Sequence, residues 1–140
     1  MAEALLNHLG GDRFEAHSAG AFPAGYIHPL AIQTMSQMNI DISHKASKPI
    51  DIYLNDDWDI IITVCDNAKE ACPILPGHKV NAHWGFEDPA SYEGSEEEKR
   101  EAFIRTAVEI EERIRLLLAL EEHLMPHHEY ANSVRQIGLN

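Results

Sequence analysis

The chain has 140 residues, 44% of them hydrophobic and 24% charged, which is the size and balance of one globular domain able to bury a core without disulfides or metals. Lys plus Arg number 11 against 23 Asp plus Glu, a formal net charge of −12, so phosphate backbones and anionic lipid are repelled and neither a nucleic-acid nor a membrane partner is expected. No apolar run approaches the ~18 residues of a membrane span, no basic start followed by an apolar stretch marks a signal peptide, and two cysteines are too few for a secreted disulfide framework or a four-cysteine zinc site; a cytoplasmic location is expected.

Residues 1–9 predict a helix, with Ala2, Leu5, Leu6 and Leu9 on one face and Gly10-Gly11 ending it. Phe14-Glu-Ala-His-Ser18 alternates as a short strand does, Ser18-Ala-Gly20 leaves it, and 22–25 form a Pro/Gly turn. Pro29 suits the first turn of a second helix running to Asn39, with Ala31, Ile32, Met35 and Met38 on one face. Ile40-Asp-Ile-Ser43 reads as extended and Asp51 to Asn55 as a helical turn.

Trp58-Asp-Ile-Ile-Ile-Thr-Val64 is rich in β-branched residues without polar alternation after Asp59, the pattern of a parallel strand buried on both faces, and it delivers Cys65 at its carboxyl end. In open α/β sheets that edge is where ligands sit. One helical turn is expected over 66–71, a loop at Cys72-Pro73 and Pro76-Gly77, and a last short strand at Lys79-Val-Asn-Ala-His83. A long helix then opens at Ser95 with a capping box to Glu98, carries Phe103, Ala107, Ile110, Ile114 and Leu117 inward, and is expected to end at Leu124-Met-Pro126. The remaining tail has no clear period. Strands alternating with helices imply an α/β sandwich with a parallel sheet.

Three groups of residues could carry chemistry. Cys65 and Cys72 have six residues between them, too many for a Cys-x-x-Cys motif, yet a loop this short closes cheaply, and a disulfide across it would contribute about 2–3 kcal/mol on a chain-entropy account. In a reducing compartment such a pair suits a reversible redox couple; it also suits two small apolar core residues. Asp88, stiffened by the following Pro89, is placed either for general acid or base work or for a simple turn. Ser18 to Gly20, His28-Pro29 and Asp41 to His44 could line the same sheet edge or serve as ordinary turns and caps. No HExxH, GxGxxG or GxxxxGK[ST] occurs, so no cofactor and no metal are expected, the neighbouring His123, His127 and His128 notwithstanding. Cys-x5-Arg is missing too, since Ala71 follows Cys65 and His78 follows Cys72 at the sixth place.

Taken in order, Met1-Ala-Glu-Ala4, Ser18-Ala-Gly20, His28-Pro29, Ile40-Asp-Ile-Ser43, Ile62-Thr-Val-Cys-Asp66, Cys72-Pro73 and His83-Trp-Gly-Phe-Glu-Asp-Pro-Ala90 resemble the thioredoxin-coupled arsenate reductases, which share the fold of the low-molecular-weight protein tyrosine phosphatases. The resemblance spans 1–115. It implies a three-layer α/β sandwich with a short parallel sheet. It also implies a catalytic set in which Cys65 is the second and Cys72 the third cysteine of a relay from arsenate to arsenite, ending in a Cys65–Cys72 disulfide reduced by thioredoxin. Asp88 falls on the family's Asp-Pro position, which assists thiol deprotonation.

In the family a strand, a Cys-x5-Arg loop and the attacking cysteine precede the helix that here begins at Met1. The expectation is therefore a phosphatase-like domain over 1–124 with the first strand absent, a tail over 125–140, and no arsenate turnover by these residues as written, as for a reductase whose start was set one methionine late or trimmed. Two alternatives stand beside it: a non-catalytic dithiol module that exchanges electrons or binds arsenite and self-associates as a homodimer or domain swap, and a tyrosine phosphatase-like protein, which would leave Cys65 and Cys72 without a role.

Overall fold

In a computed structural model, residues 1–20, 26–53, 55–65 and 80–139 are described, with the backbone alone at Cys65. The expected turn at 22–25 and the segment 66–79, with Cys72 in it, lie outside the described residues. Helix α1 runs Ala2–Gly10 and α2 Pro29–Gln37; strands β1 (Ile60–Cys65) and β2 (Val80–Phe86) follow, then α3 (Glu96–Ala119) and α4 (His127–Ile137). The architecture is α/β with a parallel pair of strands, as the sequence pattern implies.

Each helix has a physical reason for its limits. The side chain of His28 caps α2 by accepting from Leu30 N–H at 3.1 Å, with Pro29 in the first turn. At the other end Asn39 takes the left-handed conformation (φ 63°), so that Ile40 N–H reaches Met35 O at 2.9 Å and Asn39 N–H reaches Ser36 O at 3.0 Å, closing the orphan carbonyls. Helix α3 starts with the expected capping box between Ser95 and Glu98, and its inward stripe is the expected one: Phe103, Ala107, Ile110, Ile114 and Leu117 are all buried. It stops at Ala119, short of the expected Leu124, because Leu120 turns extended and the Arg13 guanidinium caps the end, donating to Leu118 O at 2.7 Å and Leu120 O at 3.1 Å. Glu122–Leu124 form a separate 3₁₀ turn.

Three expectations are corrected. Phe14 to Ser18 is not a strand; the side-chain amide of Asn7 on α1 takes the place of a neighbouring chain, donating to Ala16 O at 3.0 Å and accepting from Ala16 N–H at 2.9 Å. β1 is not buried on both faces: Ile60, Ile61, Ile62 and Thr63 are half-buried and Val64 is 37% exposed, because among the described residues β2 is its one strand neighbour. The stretch after Pro126, read as having no period, forms α4, with Tyr130, Ala131, Val134 and Ile137 buried at helical spacing.

That last helix is central to the packing. Helices α1, α2 and α4 pack on α3, and α4 also lies against β2. The indole N–H of buried Trp84 donates to Val134 O at 2.9 Å, giving a partner to one of the last carbonyls of α4. Arg135 Nε donates to Asn81 O at 2.9 Å. Gly138, just past the helix, passes so close to β2 that a Cβ there would stand 2.2 Å from His83 O. Only glycine fits.

Trp84→Phe keeps an aromatic ring on β2 but leaves Val134 O without its donor in a dry place. The expected cost is about 1–3 kcal/mol of unfolding free energy, read from urea denaturation with an unchanged slope.

Candidate functional site

The two strands run parallel, so their carboxyl ends lie at one edge. The register is Ile60 opposite Val80 through Thr63 opposite His83, and then Cys65 opposite Phe86. Two steps on β1 therefore match three on β2, which places a β-bulge at Trp84-Gly85 immediately before the edge. The last regular pair is tied by its side chains, Thr63 Oγ1 lying 2.6 Å from His83 Nδ1. At the bulge, Arg113 of α3 donates to Gly85 O at 3.0 Å and lays its guanidinium 4.3 Å over the ring of the next residue, Phe86.

Asp88 stands two residues beyond Phe86. It is exposed and extended (φ −73°, ψ 109°), as a residue before proline is expected to be. Its Oδ1 accepts from Ala90 N–H at 3.0 Å and its Oδ2 from the Ser91 hydroxyl at 3.2 Å, so the carboxylate caps the 3₁₀ turn Pro89–Ser91. The turn use weighed for Asp88 is present. The same bonds fix a carboxylate at the sheet edge that carries Cys65. Cys72 lies outside the described residues.

A second assembly lies at the start of α1. Ser18, Ala19 and Gly20 line a cleft of about 250 Å³ with Ile42, Glu3, Lys45 and Lys48. Of 41–44, Ile42 lines this cleft with 18–20, and among the described residues none of β1 or β2 does, whereas Asp41 accepts from Ser43 in a local turn and His28 is taken up by the α2 cap and by its ring contact with Phe103 at 4.8 Å. Glu3, Lys45 and Lys48 were not singled out from the sequence. The signal was two lysines close together in a chain with 11 basic residues. Glu3 accepts from the Ser18 hydroxyl at 2.8 Å and pairs with Lys48 at 3.5 Å. Burial pushes its carboxyl up, but the Ser18 bond and the charges of Lys48 and Lys45 outweigh this and hold it below the usual value. Burial likewise opposes the Lys48 ammonium, while Tyr53 and Glu3 more than restore it and hold it above its usual value.

Among the described residues no group of three or more His, Cys, Asp or Glu could hold a metal ion, and no helix is long and apolar enough to cross a membrane.

The α/β architecture with its parallel pair of strands agrees with one class of protein. The chain belongs to the low molecular weight phosphotyrosine protein phosphatase family, whose model matches residues 1–127. Within that family it is similar to proteins named arsenate reductase: 40% identical to that of Halalkalibacterium halodurans over 115 residues (82% of each chain), and 42% identical to that of Bacillus licheniformis over the same length and shares. Among solved structures it resembles the arsenate reductase of Archaeoglobus fulgidus, with a TM-score of 0.65 and 28% identity over 85% of this chain and 88% of that one. It also resembles an arsenate reductase in the oxidized state, with a TM-score of 0.67 and 28% identity over 81% and 82%.

The lowered Glu3 carboxyl makes a signed prediction. In the unfolded chain it returns to its ordinary value of 4.5, so its contribution to stability is present above that pH and lost as pH falls through the lower folded value. Glu3→Gln should flatten the fall in thermal midpoint between about pH 5 and about pH 3, seen by comparing melts of variant and parent across that window.

Proposed function

We propose that this chain carries the thiol relay of arsenate reduction, acting in the reducing cytoplasm with a thioredoxin-type dithiol as its electron donor. The observation that carries the reading is Cys65 at the end of β1, opposite Phe86 and beside the Asp88-Pro89 turn; relatives named arsenate reductase at about 40% identity support it. In the proposed sequence arsenate is held as a thiol adduct on a cysteine outside these 140 residues, since no Cys-x5-Arg occurs among them. The Cys65 thiolate attacks the sulfur of that adduct. The sulfur–arsenic bond breaks, its electron pair stays on arsenic, and arsenite leaves as two thiols become one disulfide. Cys72 then attacks Cys65 and expels the first thiol. The resulting Cys65–Cys72 disulfide is reduced by the external dithiol. Asp88, oriented by Ala90 and Ser91, takes the proton of the attacking thiol.

With purified thioredoxin, its reductase and NADPH, the chain should show no arsenate-dependent NADPH oxidation, whereas the pre-oxidised chain should consume one NADPH and yield two titratable thiols. Cys65→Ser and Cys72→Ser should each lower that thioredoxin-dependent reduction at least about tenfold. Unchanged reduction in Cys65→Ser would remove the relay reading. The single strand neighbour of β1 among the described residues favours, as a second reading, the dithiol module that self-associates; sedimentation at about 10–100 μM should then give a dimer, and a monomer throughout counts against it.

A further inference from the structure

The bulge at Trp84-Gly85 decides which residue of β2 faces Cys65. If β2 continued without it from the Thr63–His83 pair, Gly85 would stand opposite Cys65, and Asp88 would move along the strand direction by one residue, about 3.3 Å. Such a slip also turns every following side chain to the other face. The extra residue needs something to hold it, because a bulge removes a regular ladder bond and leaves a backbone group to be satisfied elsewhere. Arg113 supplies that from α3. Its Nη1 donates to Gly85 O at 3.0 Å, and its planar guanidinium lies 4.3 Å over the ring of buried Phe86. One half-buried side chain thus grips the bulge residue Gly85 and its neighbour Phe86. The amino end of the same strand has a counterpart in Arg135, which donates to Asn81 O at 2.9 Å, three residues before the bulge.

We infer that Arg113 is a positioning residue that sets the register of β2 at the sheet edge, and through it the residue paired with Cys65 and the place of Asp88. Its importance for chemistry rests on the relay reading above, but the register claim does not. A lysine keeps the positive charge yet has neither the fork nor the plane to bond Gly85 and cover Phe86 together.

The test uses the full chain in a Cys72→Ser background, where Cys65 is the one thiol, and reads the rate of its alkylation by iodoacetamide. Arg113→Ala should change that rate at least about threefold, and Arg113→Lys should restore it only in part. Arg135→Ala should lower the thermal midpoint but leave the rate within about 1.5-fold of the parent, because the bond it loses is to Asn81, before the bulge. Equal rates in parent, Arg113→Ala and Arg113→Lys overturn the inference. So does an equal change in Arg135→Ala, which would mean general loosening. A shifted alkylation rate in a chain whose wild-type disulfide thioredoxin does not reduce leaves the register role standing and removes the relay reading, so the two failures are separable.

Discussion

The indole N–H of Trp84 bonded to Val134 O joins the last helix to the strand that ends at the candidate site. Without a donor there, the end of α4 would bury a bare carbonyl, and β2 would face the helix with nothing fixing their relative height. With it, three further features fall into place along one strand: Arg135 reaches Asn81 O, Gly138 passes against His83 O, and the Trp84-Gly85 bulge is held between α4 on one side and Arg113 of α3 on the other. A two-stranded parallel pair is not stable by itself. Among the described residues α4 braces this pair through its contacts with β2.

This arrangement separates the tasks of the two strands. β1 is a run of β-branched residues whose backbone brings Cys65 to the edge. β2 carries the aromatic residues that anchor in the core, with Val80, Trp84 and Phe86 buried and Asn81 exposed. The Thr63–His83 pair is the last point at which the strands match residue for residue. Beyond it, geometry is set by side chains arriving from helices far away in sequence, and for that reason the site is a property of the whole domain.

The parts of the fold that were legible in the sequence are those coded locally. The Ser95 capping box, the Pro29 start of α2, the inward stripe of α3 and the β-branched run of β1 each declare themselves within a few residues. What could not be read depends on partners distant in the chain. Phe14 to Ser18 has a strand's alternation, but its backbone partner is an asparagine side chain on α1. The end of α3 is decided by Arg13, more than a hundred residues away. The period of α4 was present in Tyr130, Val134 and Ile137, yet polar neighbours and three nearby histidines obscured it. At the site, Cys65 and the Asp88 turn were readable as motifs. The bulge that offsets them and the Arg113 grip were not, because neither leaves a local pattern.

The pairing of Asn7 with Ala16 has one more consequence. An amide is the side chain that offers a donor and an acceptor at the spacing a peptide group requires, and both halves are used here. Hydrolysis to the carboxylate, the ordinary ageing reaction of asparagine, would replace the donating half by an oxygen aimed at the carbonyl of Ala16. The change adds about one dalton and touches no core residue. It would nevertheless release the connection that leads from α1 to Ser18 and Gly20, so the shape of the cleft beside Glu3 depends on the amide at position 7.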